Sequence, residues 1–125
     1  MLDVATETGD GGLATNAVGC RTVWVKRKQN AIAGTQQWAM TLQVHWCFAS
    51  GIVTSIAQTP LVDCCGPFWF FNGWVTEAFG AAGSPSVRSF LQGQFRYSVL
   101  WFSGSKTPWI VITVHGDGSY ELGWG

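Results

Sequence analysis

The chain has 125 residues, charged side chains make up only 11%, and the formal net charge is zero. That length suits one domain with a real core and excludes a multidomain assembly. Zero net charge excludes a general pull toward nucleic acid or an acidic membrane, while 8 Trp, 8 Phe and 16 Gly fit an all-β domain rich in turns and argue against disorder.

Residues 1–19 are small, polar and glycine-containing, with Asp3, Glu7 and Asp10. They read as a mobile N-terminal arm ahead of a single β domain over 20–125, with an edge strand as the other reading. The start, MLDVATETGDGG, has no apolar signal-peptide core. No run approaches the length of a transmembrane helix, so no membrane span is expected.

Cys20–Lys28 (CRTVWVKRK) alternates as a first strand. Its Arg21, Lys26, Arg27 and Lys28 read as a solvated hairpin end that blunts an edge, with an anion contact as the sharper reading. Asn30–Gly34 is the connecting loop. The next strand, Gln36–Phe48, is the clearest in the chain. Trp38, Met40, Leu42, Val44, Trp46 and Phe48 alternate with Ala39, Thr41, Gln43, His45 and Cys47, the period of a strand with one buried face. Pairing the two strands antiparallel with Cys20 opposite Cys47 sets Val23 against Val44, Val25 against Leu42, Thr22 against His45 and Trp24 against Gln43. A slip of one residue would invert the faces, so the agreement of apolar with apolar supports this register. It predicts a Cys20–Cys47 disulfide on the outer face, stabilising by roughly 3 kcal/mol.

Ile52–Thr59 is a third strand, expected to stop at Pro60, with Leu61–Pro67 as a loop. Within it, Cys64-Cys65 reads either as a vicinal disulfide or as free thiols. Phe68–Val75 (FWFFNGWV) is aromatic on both faces, interrupted by Asn72-Gly73 as a turn or bulge. Thr76–Gly83 reads as a helical turn or loop. Val87–Trp101, Trp109–His115 and Ser119–Trp124 complete a C-terminal meander, with Ser103–Lys106 as a hairpin loop. About seven strands with short turns predict an antiparallel β-sandwich, immunoglobulin-like in type, with a small β-barrel as the alternative.

Motifs for chemistry are sparse. The cysteines lack CxxC spacing, and no HExxH, EF-hand loop, GxSxG or GK[ST] phosphate loop occurs. No metal or cofactor is therefore expected. His45 and His115 read as outer-face and strand-end residues. A small hydrolase would need one of them within reach of a carboxylate in a cleft, and a non-enzymatic role is the expectation. Trp24 falls on the outer face, and Trp69, Phe71 and Trp74 have no evident inside. These four are the candidate binding residues, because aromatic platforms stack on sugars and anchor protein interfaces. The expected partner is a second copy of the chain or a glycan. Nucleic acid is not expected, since stacking on bases also wants a basic groove.

Several segments are similar to a group of small, uncharacterised secreted proteins typical of actinobacteria. They are Cys20-Arg21-Thr22, His45-Trp46-Cys47-Phe48 with Gly51-Ile52-Val53-Thr54-Ser55, Gln92-Gly93-Gln94-Phe95, Pro108-Trp109-Ile110, and Val114-His115-Gly116-Asp117-Gly118-Ser119-Tyr120. The resemblance covers about Cys20 to Tyr120, and the Cys64-Cys65 pair departs from it. It implies a secreted, disulfide-pinned β domain and supplies no catalytic residues. The sequence thus points to a non-enzymatic extracellular sandwich acting by surface contacts, structural or self-associating. A carbohydrate-binding module using exposed Trp is the alternative.

Overall fold

The computed structural model describes residues 3–10, 18–30, 36–100 and 102–125. Parts of the expected N-terminal arm and of the Asn30–Gly34 loop, together with Trp101, lie outside them. The described residues form nine strands: β1 (Asp3–Asp10), β2 (Val18–Asn30), β3 (Gln36–Ala49), β4 (Ile52–Cys64), β5 (Trp69–Phe79), β6 (Ser86–Val99), β7 (Phe102–Lys106), β8 (Trp109–His115) and β9 (Tyr120–Trp124). They make two antiparallel sheets, one ordered β1-β2-β3-β4 and the other β5-β6-β8-β9 with β7 also paired to β6. The sheets pack face to face without closing into a barrel. An immunoglobulin-like sandwich passes repeatedly between its sheets; this chain crosses once, between β4 and β5.

The β2–β3 register is the one the alternation predicts. Cys20 lies opposite Cys47, Thr22 opposite His45, Val23 opposite Val44, Trp24 opposite Gln43 and Val25 opposite Leu42. The inward row Trp38, Met40, Leu42, Val44, Trp46 and Phe48 is fully buried. It meets Leu91, Phe95, Ile110, Ile112 and Val114 of the other sheet. Trp38 stacks on Phe95 at 4.3 Å between ring centroids, and its Nε1 donates to Gln29 Oε1 at 3.2 Å. Cys20 and Cys47 are bridged across the hairpin. The sulfurs of Cys64 and Cys65 are also joined, at the start of the crossover.

Four expectations are corrected. β4 does not stop at Pro60 but runs on to Cys64, so half of the expected loop is strand. Pro60 is tolerated because β4 is an edge strand, where a missing N–H costs no ladder bond. β5 likewise continues through Thr76–Phe79 in place of a helical turn. Ser103–Lys106 is strand β7 and not a loop, pairing with the C-terminal half of β6. Arg27, placed opposite Met40, lies on the inward face of β2 and is only half-exposed; burial lowers its pKa below the usual guanidinium range. Asp3–Asp10 adopts the edge-strand reading, pairing along β2 from Asn30 to Val23.

The two lateral edges of the sandwich differ. Where β2 and β3 face β9, Arg21 donates to the Gly118 carbonyl at 2.8 Å and lies over the Tyr120 ring, which also meets Trp46 edge-on at 6.1 Å. Those contacts seal that side. At one end, a bridge between Gly51 and Gly116 ties the sheets, and Gly116 N–H donates to the Pro85 carbonyl at 2.8 Å. A Cβ on Gly116 would run into the Gly51 backbone, so only glycine allows this approach. The opposite lateral edge, formed by β4 and β5, is tied at one end, where Val53 N–H donates to Ser84 O at 2.9 Å and Gly83 N–H to Val53 O at 2.8 Å.

Candidate functional site

The four aromatic residues singled out from the sequence do not form a platform. Trp24 is half-buried on the outer face of the first sheet, with Gly9 of β1 beside it; a Cβ there would strike its indole. Trp69 belongs to the core, only 6% exposed and edge-on to Trp38. Phe71 and Trp74 make a T-shaped pair at 5.0 Å, and Phe71 packs on Phe95 at 5.1 Å. The cause is local. Register shifts at Phe71/Gly73 and Trp74/Thr76 break the two-residue period, so Trp69, Phe71 and Trp74 all turn toward the core. Gly93 opposite Trp74 makes the room: a Cβ there would sit 3.2 Å from both Trp74 and Met40.

The residues the sequence reasoning missed are the ones between. Phe68, Phe70, Val75 and Phe79 are 62%, 51%, 54% and 54% exposed, and on the neighbouring edge strand Leu61 and Val62 are also exposed. They flank the two edge strands without sharing one face: Phe70, opposite Arg96, lies on the outer face of its sheet, and Phe79, opposite the buried Ser89, lies on the inner-facing side. The signal was present in FWFFNGWV: a strand aromatic on both faces must show one of them unless it is covered on both sides. Phe79 also walls a hollow of about 410 Å³, with Ala78, Gly80, Val87 and Phe90.

Two histidines mark the polar sites outside this edge. His45 Nδ1 lies 2.8 Å from Thr22 Oγ1, and its Nε2 lies 4.0 Å from the Cys47 sulfur. Cys20, His45 and Cys47 have ligand atoms within 4.8 Å of one another, the one such trio among the described residues. Both sulfurs are spent on the disulfide, which leaves no thiolate for a metal. His115 sits in a shallow hollow of about 430 Å³ with Ser86, Asp117 and Ser119. Its Nδ1 is 2.7 Å from Ser86 Oγ and its Nε2 is 3.8 Å from Glu121 Oε2. Asp117 accepts hydrogen bonds from the Ser119 hydroxyl and, at 2.9 Å, from the Ser119 N–H. These two bonds hold its pKa below the ordinary 3.8. A carboxylate does come within 3.8 Å of His115, but the hollow is shallow and open, and Glu121, largely exposed, is not among the residues lining it. Ser86, distant in sequence, was not foreseen.

No helix in the described residues is long and apolar enough to cross a membrane. No family model, curated protein or solved structure matches this chain.

Proposed function

We propose that the protein is an extracellular structural β-sandwich that works by self-association through the β4–β5 edge. The observation that carries this reading is the number of exposed apolar side chains on the two edge strands, Phe70, Val75 and Phe79 of β5 and Leu61 and Val62 of β4, with Phe68 just before β5. A half-exposed phenylalanine still shows about 100 Å² to water, worth roughly 2–3 kcal/mol when covered. β5 has 11 residues, so this edge is about 36 Å long. Two sheet edges and their side chains give a width of about 20 Å, hence about 700 Å², near the roughly 800 Å² per partner of a specific interface.

A two-fold operation suits this edge. It runs one copy of β5 antiparallel to the other, so that Phe70 of each copy approaches the Phe79 end, where the hollow lies. The same operation sets Glu77, the one charged residue of β5, beside Asn72 of the other copy and not beside another carboxylate. Continuous strand addition is disfavoured, because β5 carries two bulges and β4 carries Pro60. Contact is therefore by side chains. The secreted location draws on the Cys20–Cys47 bridge, which suits an oxidising compartment, and on the resemblance to small secreted actinobacterial proteins. The glycan reading has less to stand on: among tryptophans whose side chains are described, only Trp124 is exposed, at 42%.

Light scattering after size exclusion tests the reading. The expected mass is twice that of the 13.6 kDa chain. Phe70→Ser is expected to weaken the dimer at least tenfold, a loss of at least about 1.4 kcal/mol. A wild-type monomer at about 100 μM, a thousandfold above a dissociation constant of about 100 nM at the weak end of standard-size interfaces, would overturn it.

A further inference from the structure

We propose that Ser86 is a nucleophile activated by His115, and that it takes an acyl group from activated esters. The two residues face one another across the β6–β8 ladder, which places their side chains side by side. The backbone beneath them is fixed. His115 N–H donates to Ser119 O at 2.9 Å, and His115 O accepts from Gly118 N–H and from Trp46 Nε1, each at 3.1 Å. Next to Ser86, Pro85 is held by Gly116.

The second ring nitrogen decides the direction of the hydrogen bond. Glu121 lies on the Nε2 side, and a carboxylate there favours the tautomer with its proton on Nε2. Nδ1 is then an acceptor, and the Ser86 hydroxyl donates to it. This is the nucleophile–base–carboxylate order of acyl-transfer sites, with the roles of the two nitrogens exchanged. The step balances within the site. Ser86 Oγ forms a bond to the ester carbonyl carbon as its proton passes to Nδ1. The carbon–oxygen bond to the leaving group breaks, and the alcohol or phenol takes that proton. Water, activated by the same nitrogen, later releases the acid.

The hollow also limits the substrate. The N–H groups of Gly116 and Gly118 are already engaged, to Pro85 O and His115 O. Losing one oxyanion donor costs an acyl-transfer enzyme about 10²–10³ in rate. Only esters with good leaving groups should therefore react, and the acyl-enzyme should turn over slowly. The structure carries its own control. Thr22 and His45 repeat the hydroxyl–Nδ1 contact at 2.8 Å, but there Nε2 faces the Cys47 sulfur and not a carboxylate. Ser86 should be acylated and Thr22 should not.

The test uses the native full chain and p-nitrophenyl acetate. The expected result is a burst of p-nitrophenolate of one per chain, with the acetyl group mapped to Ser86 by peptide mass spectrometry. Ser86→Ala should abolish the burst, and His115→Gln should slow it by about 10²-fold. Glu121→Gln, at an exposed positioning residue, should slow it several-fold while Glu121→Asp keeps most of the rate. Protein unfolded in urea serves as the baseline for ordinary hydroxyl and amine reactivity. Acetylation of native Ser86 no faster than in urea, or equal labelling of Thr22 and Ser86, would overturn the proposal.

Discussion

Replacing both Cys20 and Cys47 with alanine should destabilise the domain by an amount set almost entirely by the unfolded chain. The bridge closes a loop over a sequence separation of 27. The chain-entropy relation then gives a loss of about 12 cal/mol/K, or about 3.5 kcal/mol at 25 °C. Native contacts add little, because Cys20 is exposed and Cys47 half-buried on the outer face. A domain of this size has about 5–15 kcal/mol in total, so the variant should still fold. The assay is equilibrium unfolding in urea without reductant, followed by fluorescence of the buried Trp38, Trp46 and Trp69. The expected fall is about 2–4 kcal/mol, with a larger m-value because the unfolded chain expands. A fall below about 1 kcal/mol at unchanged m would refute the argument, since a bridge that closes this loop must restrict the unfolded state.

Gly118→Ala should cost about 2–4 kcal/mol, because φ is +89° and a Cβ would lie 2.6 Å from the buried Phe48 ring. An unfolding midpoint within error of wild type would count against it. Trp38→Ala removes the stack on Phe95, the edge contact with Trp69 and the bond to Gln29, and should cost about 3–5 kcal/mol in the same assay. A loss under about 1 kcal/mol would show that this core collapses around the gap. Ser119→Ala should raise the Asp117 pKa back toward 3.8, seen as a higher carboxyl midpoint by NMR titration. Because the folded pKa is depressed, the Asp117 contribution is present above the unfolded value and fades as pH falls through the folded one. An unmoved midpoint would remove Ser119 as the cause.

The central hairpin was legible because each inward residue from Trp38 to Phe48 is large and apolar and each outward one is smaller or polar, so only one register satisfies both faces. The same logic failed at β5. Two bulges within its 11 residues shift the period, and no residue type announces a bulge when aromatics stand on both sides of it. Pro60 misled for a related reason: proline ends central strands but not edge strands, and edge position is a property of the sheet, not of the segment. β7 was hidden because Ser103, Gly104 and Ser105 carry turn chemistry, while its pairing is supplied by the long β6. The Ser86–His115–Glu121 group joins three strands whose order only the fold provides.

The apolar edge and the histidine hollow are not independent, because Ser86 lines both recesses. If the edge is occupied by a second copy, a side chain entering the recess beside Phe79 approaches Ser86 from the β5 side, while ester reaches it from the His115 side. Association should then slow acylation without altering the geometry of the serine–histidine pair. The comparison is the per-chain burst rate above and below the dimer dissociation constant. Wild type should react more slowly when dimeric, and Phe70→Ser should hold the faster rate at both concentrations. Equal wild-type rates in the two regimes would place the partner's side chains clear of Ser86, and the two features would then serve separate purposes on one scaffold.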